Sequence, residues 1–139
     1  MKKLLFYLML LIGLNSYSQN ITLFDSNFEN YLETHNAAGA SVLITDPTNM
    51  GNGIMDLAVP IAKVSVVTSL NVSNRNISNL IGIQGFTSLQ TLRCNTNSIV
   101  SLNLTGLTNL STVICFDNQL TNLNLTGLSI LSYVDCSNN

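Results

Sequence analysis

Cys94, Cys115 and Cys136 follow one another at intervals of 21 residues, each inside the same frame. That frame reads Leu89-x-x-Leu92-x-Cys94-x-x-Asn97-x-Ile99, then Leu110-x-x-Val113-x-Cys115-x-x-Asn118-x-Leu120, then Leu131-x-x-Val134-x-Cys136-x-x-Asn139. A looser copy, Val67-x-x-Leu70-x-Val72-x-x-Arg75-x-Ile77, precedes them, with Arg75 in the asparagine position. A unit this short cannot bury an apolar face by itself, so copies must stack, and a period in this range is the signature of a solenoid.

The alternation of the last two apolar residues in L-x-x-L-x-C has the period of a strand, which sends both side chains to one side. Stacked copies then form a parallel sheet with strands about 4.8 Å apart. The cysteine occupies an inward position suited to a small apolar side chain, as Val72 does in the first copy. The asparagine falls where the chain leaves the sheet, and its amide can serve backbone groups that no strand serves. Leu102, Leu104, Leu107 and Leu110, repeated as Leu123, Leu125, Leu128 and Leu131, supply a return arm. Its echo of the strand half predicts an extended or tightly turned path rather than a long helix, with turns at Gly106 and Gly127.

These 21-residue units resemble those of bacterial secreted leucine-rich repeat proteins, and the first, "LNVSNRNISNLIGIQGFTSL", is similar to internalin-type units. The resemblance covers Val67 to Asn139. It implies a leucine-rich repeat solenoid of the α/β class, rich in β structure. Such a fold has a short parallel sheet on its concave face and a short N-terminal capping helix, and no C-terminal cap is legible here. It also implies a secreted or cell-surface module for protein or glycan binding and adhesion.

Before the repeats, Ser26-x-x-Glu29 reads as a capping box opening a helix over residues 26–35, with Phe28, Tyr31, Leu32 and His35 on one face. Residues 19–66 are the expected N-terminal cap, and 67–139 hold about three complete units and one truncated. "ITDPTNMGNGIMDLAVP" invites comparison with a calcium loop. Counted from Asp46, however, Met50 and Leu57 fall where oxygen ligands are needed, so a turn built on Pro47, Gly51 and Gly53 is expected. At the start of the chain, Lys2 and Lys3, an apolar run Leu4–Leu14 and the small residues Ser16 and Ser18 form the pattern of a secretory signal peptide, residues 1–18, cleaved after Ser18. That run is too short to span a membrane, and no span is expected in the mature chain.

Charged residues are only 9% of the chain, and beyond residue 18 Lys63, Arg75 and Arg93 face seven acidic residues. Nothing in that balance attracts nucleic acid, which needs clustered Lys and Arg. His35 is the single histidine, so neither a hydrolase triad nor a zinc site is legible, and no metal, cofactor or enzymatic chemistry is expected. Asp117 and Asp135 do not occupy equivalent repeat sites, which argues against a glycosidase pair. The cysteines should form an inward column. Side chains on adjacent parallel strands point the same way, which disfavours a disulfide between them, so buried free thiols are expected.

What remains is the outer face of the sheet: Ser69, Asn71 and Ser73, then Thr91, Arg93 and Asn95, then Thr112, Ile114 and Phe116, then Tyr133, Asp135 and Ser137. Arg93, Ile114, Phe116, Tyr133 and Asp135 form the candidate binding patch, because apolar and aromatic groups here interrupt a small polar surface. Leu92, Cys94, Asn97, Val113, Cys115, Asn118, Val134, Cys136 and Asn139 are the structural repeat residues. A second reading is that of a non-catalytic spacer or scaffold of a larger exported protein or enzyme. It rests on "YVDCSNN", which leaves a repeat unfinished and suggests a fragment.

Overall fold

The computed structural model describes residues 19–139; the expected signal peptide, residues 1–18, lies outside them. Ahead of the repeats the chain forms strand β1 (Asn20–Thr22), helix α1 (Ser26–Thr34), strand β2 (Ala58–Pro60) and a single helical turn, α2 (Ile61–Val64). β1 and β2 pair antiparallel. The repeats then contribute β3 (Ser69–Asn71), β4 (Thr91–Arg93), β5 (Ser101–Asn103), β6 (Thr112–Ile114), β7 (Asn122–Asn124) and β8 (Tyr133–Asp135). β3-β4-β6-β8 is one parallel sheet, and β5-β7 is a second.

The register realises the sequence period. Leu70, Leu92, Val113 and Val134 are Cα partners in one row across four strands. Two residues on, Val72, Cys94, Cys115 and Cys136 fall in the next inward row. The interior contains Leu102, Leu104, Leu107 and Leu110 from the return arm, all buried. That arm is extended as expected: β5 and β7 lie within it, and Gly106 and Gly127 turn at φ of 88° and 82°, where a side chain is strained. Burial fades toward the β8 edge, where Leu131 and Val134 are only half-buried and Cys136 is exposed. Of the three cysteines, Cys94 and Cys115 are buried, and Cys136 departs from the expectation because β8 is the edge strand of the sheet among the described residues.

Each repeat asparagine joins two coils. Asn97 donates to the carbonyls of Val72 and Cys94, at 2.9 Å each, and its Oδ1 accepts the N–H groups of Arg75 and Ile77, at 3.0 Å each. Asn118 likewise bonds Cys94 O, Cys115 O and Ile99 N, and Asn139 bonds Cys115 O, Cys136 O and Leu120 N. Every asparagine thus reaches back to the preceding coil. Arg75 belongs to the first coil, where no earlier repeat offers groups to bond. Its guanidinium lies instead 5.3 Å from the centroid of the Tyr31 ring in α1, a cation–π contact.

The cap is fastened by carboxylates. The N-cap of α1 is Asp25, whose Oδ1 accepts from the N–H groups of Asn27 and Phe28. The expected Ser26–Glu29 capping box does not form, because an acceptor one residue earlier takes the role and Glu29 points elsewhere. Oδ2 of Asp25 accepts from the N–H and hydroxyl of Ser78, at 2.8 and 2.6 Å, so one side chain ends the helix and ties it to the first repeat. Burial would raise the Asp25 pKa, but the Ser78 hydroxyl and the surrounding N–H donors outweigh it and hold the carboxyl below its ordinary value. Phe28 stacks on Phe86 with centroids 6.2 Å apart, and both rings are buried. The apolar face of α1 thereby covers one end of the solenoid interior.

Candidate functional site

On the outer face of the four-stranded sheet the strands set three rows. Ser69, Thr91, Thr112 and Tyr133 form the first, and Asn71, Arg93, Ile114 and Asp135 the second. Past the strand ends, N–H groups of Thr96 and Asp117 donate to Phe116 O and Ser137 O, both at 3.0 Å, which carries the alignment into a third row containing Asn95, Phe116 and Ser137. The sheet therefore places Arg93, Ile114 and Asp135 side by side on consecutive strands. Arg93 and Asp135 stand two strands apart, about 10 Å by strand spacing, with Ile114 between them. Oδ1 of Asp135 accepts from the Ser137 hydroxyl at 2.7 Å and the Ser137 N–H at 3.1 Å, and these bonds hold its carboxyl below the ordinary value.

Exposure separates the patch residues. Tyr133 is 53% exposed, while Ile114 and Phe116 are each half-buried and Arg93 is exposed. Their neighbours are short and polar: the Ser73 hydroxyl donates to Asn95 Oδ1 at 2.7 Å. The candidate surface is thus a small apolar group on a Ser, Thr and Asn background.

Behind this face the thiols are free. Burial pushes Cys94 far up, with Cys115 beside it adding to the effect. Burial, then the neighbouring Cys136 and Asp135, push Cys115 up to about 11. Since the thiolate is the reactive species, a disulfide reagent such as DTNB at pH 8 should label Cys136 rapidly in the native protein. Cys94 and Cys115 should react only once guanidinium unfolds it. Rapid labelling of all three in the native state would contradict the interior column.

A second feature was not legible as a site. Between the end of α1 and β3 lies an open cavity of about 420 Å³. Tyr31, His35 and the loop Ala37–Gly39 form its cap side; Thr68, Ser69, Asn71 and Arg75 form its repeat side. Tyr31 and His35 stack with ring centroids 4.0 Å apart at 13°. His35 Nδ1 lies 3.0 Å from Tyr31 O, and Nε2 lies 3.2 Å from the Ser41 hydroxyl. Burial lowers the His35 pKa, which leaves the imidazole neutral at pH 7. The sequence signal was Arg75 itself, the one residue that breaks the asparagine column.

Among the described residues no group of three or more His, Cys, Asp or Glu side chains is placed to hold a metal. The segment once compared with a calcium loop is held by protein groups. Glu33 Oε1 accepts the Asn52 N–H at 2.7 Å, and Oε2 accepts the Gly53 N–H at 2.7 Å. Glu29 Oε1 accepts from the N–H groups of Asp56 and Leu57. No helix among the described residues is long and apolar enough to cross a membrane.

No protein-family model and no curated protein sequence matches the chain. A solved structure of the functional domain of InlJ from Listeria monocytogenes, which includes a cysteine ladder, matches with a TM-score of 0.65 and 28% identity over 86% of this chain. This chain spans 24% of that structure's length. Internalin C2 of the same organism also matches, at 20% identity and a TM-score of 0.43, covering 83% of this chain and 65% of its own. The stacked parallel sheets, the 21-residue period and the cysteine row give this chain a leucine-rich repeat solenoid fold similar to that of the internalin InlJ.

Proposed function

We propose that this chain is a non-catalytic binding and adhesion module whose protein partner docks on the outer face of the four-stranded sheet. The observation that carries the reading is the diagonal of Phe116, Ile114 and half-exposed Tyr133 across the three rows at β6 and β8, on a face whose other residues, Arg93 and Asp135 apart, are short and polar. Aromatic groups on a rigid platform lose little side-chain freedom on binding and make the usual anchors of protein interfaces. Arg93 and Asp135 flank the cluster and would set orientation more than affinity. The likeness to the functional domain of InlJ supports the same class of role, and the leader pattern of residues 1–18 supports export to the cell surface or medium.

The test is a double replacement, Phe116→Ser with Tyr133→Ser. Neither side chain is fully buried, so circular dichroism and the melting temperature should hardly change. Affinity for binders selected against the wild-type protein from a displayed protein library should fall about 30-fold, the loss of one hot-spot cluster. Undiminished binding would remove this face as the docking surface and leave the spacer reading in its place.

A further inference from the structure

We propose that the cavity between the end of α1 and β3 is a binding site for a carboxylate-bearing monosaccharide of the uronic acid type. The site is separate from the Ile114–Phe116–Tyr133 cluster, so either can fail without the other.

A fixed positive charge comes first. In the later units the position of Arg75 is an asparagine spent on joining coils, whereas in the first unit the side chain is released from that duty. Its guanidinium is held 5.3 Å over the Tyr31 ring, and Tyr31 is itself held by stacking on His35. A cation anchored this way meets a ligand with less loss of freedom than a surface arginine that must be ordered first. No carboxylate lines the cavity, so nothing within it competes for the guanidinium, whose planar fork suits a carboxylate.

Charge count then narrows the ligand. His35 is neutral, and its two ring nitrogens already have protein partners. A single positive group matches a monocarboxylate better than the multiple charge of a phosphate ester. Size and wall chemistry narrow it further. A volume of about 420 Å³ lies in the range of small-molecule sites, about 300–1,000 Å³, and far exceeds what one carboxylate fills. The repeat-side wall presents the hydroxyls of Thr68 and Ser69 and the amide of Asn71. Oδ1 of Asn71 accepts the Ser73 N–H, which leaves the NH2 to donate outward. Such a row serves the hydroxyls of a sugar ring and has no use for an apolar ligand.

The rim is built in advance. Asn36 Oδ1 accepts the N–H groups of Ala38 and Ala40, at 3.1 and 3.0 Å, and Gly39 turns the loop with φ of 79° while donating to Asn36 O. The loop that would close over a sugar is therefore set before any ligand arrives.

The experiment is a titration of the 15N-labelled protein with D-glucuronate, with D-glucose and acetate as separate probes. Glucuronate should produce saturable shifts at the Ala38, Gly39 and Asn71 amides, and glucose and acetate should each bind at least tenfold more weakly. Arg75→Gln should weaken glucuronate about tenfold or more, as expected for loss of a charged hydrogen bond. Ser69→Ala, at an exposed position, should weaken it severalfold while leaving the spectrum otherwise intact, and so serves if the Arg75 variant does not fold. Acetate binding as tightly as glucuronate would mean a bare carboxylate site, suited to an acidic peptide side chain, and would overturn the sugar assignment. So would equal affinity for glucose, absence of shifts at these amides, or full affinity in both variants.

Discussion

Asn97→Ala should lower the unfolding free energy by about 3–5 kcal/mol, from loss of bonds to several backbone groups at once. One amide serves the carbonyls of Val72 and Cys94 and the N–H groups of Arg75 and Ile77. Alanine fills none of those roles, and at this half-buried position water can replace only part of them. Because three of these groups, Val72 O, Arg75 N and Ile77 N, lie on the preceding coil, the loss should uncouple neighbours and not merely loosen one turn, as nearest-neighbour stacking implies. Urea denaturation followed by far-ultraviolet circular dichroism measures it. The contrast is Arg75→Asn, at the same position one coil earlier, which should change stability by under about 1 kcal/mol because no repeat precedes it to be joined. A loss below about 1 kcal/mol for Asn97→Ala would mean that the amide column is incidental to the stacking.

That pair of positions shows how far the sequence could be read. The interval between cysteines was enough to place Leu92, Val113 and Val134 in one row, because a repeat that must stack in register leaves little choice of neighbour. Gly106 and Gly127 could be located for the same reason. Cys136 was harder: its inward direction follows from the period, but its exposure depends on what packs beyond β8, which no interval encodes. In the cap there is no repetition to average over, so local rules competed. Ser26 satisfied the pattern of a capping box, yet Asp25, one residue earlier, also reaches Ser78 in the first repeat, a bond that joins positions 53 apart in sequence. The alternation sets the outward residues in rows, while the partial burial of Ile114 and Phe116 depends on side-chain packing that the alternation does not report. The cavity beside Arg75 was signalled only as an irregularity, since its two walls come from segments with no periodic relation.

Glu33→Ala should cost the cap about 3–5 kcal/mol, with the effect confined largely to residues 49–57. Glu33 is fully buried and accepts the N–H groups of Asn52 and Gly53 at 2.7 Å each, with the Asn49 amide at 3.3 Å. Removing the carboxylate leaves those donors facing a cavity beside Gly51, where the backbone runs so close that a Cβ would fall on the Glu33 carboxylate. Glu33→Gln keeps the shape and one acceptor but turns an NH2 toward a backbone N–H, so an intermediate loss of about 1–2 kcal/mol is expected. Hydrogen exchange locates the damage. Protection should vanish at the Asn52 and Gly53 amides in the alanine variant. It should persist at Val72 and Cys94, whose N–H groups donate to Arg93 O and Ile114 O between the repeat strands. That separation follows from the two fastenings of the cap: Glu33 organises the loop, whereas Asp25 and the Phe28–Phe86 contact hold α1 to the first coil. Protection lost equally across the repeats would show that the loop and the solenoid end form one cooperative unit, with Glu33 supporting both.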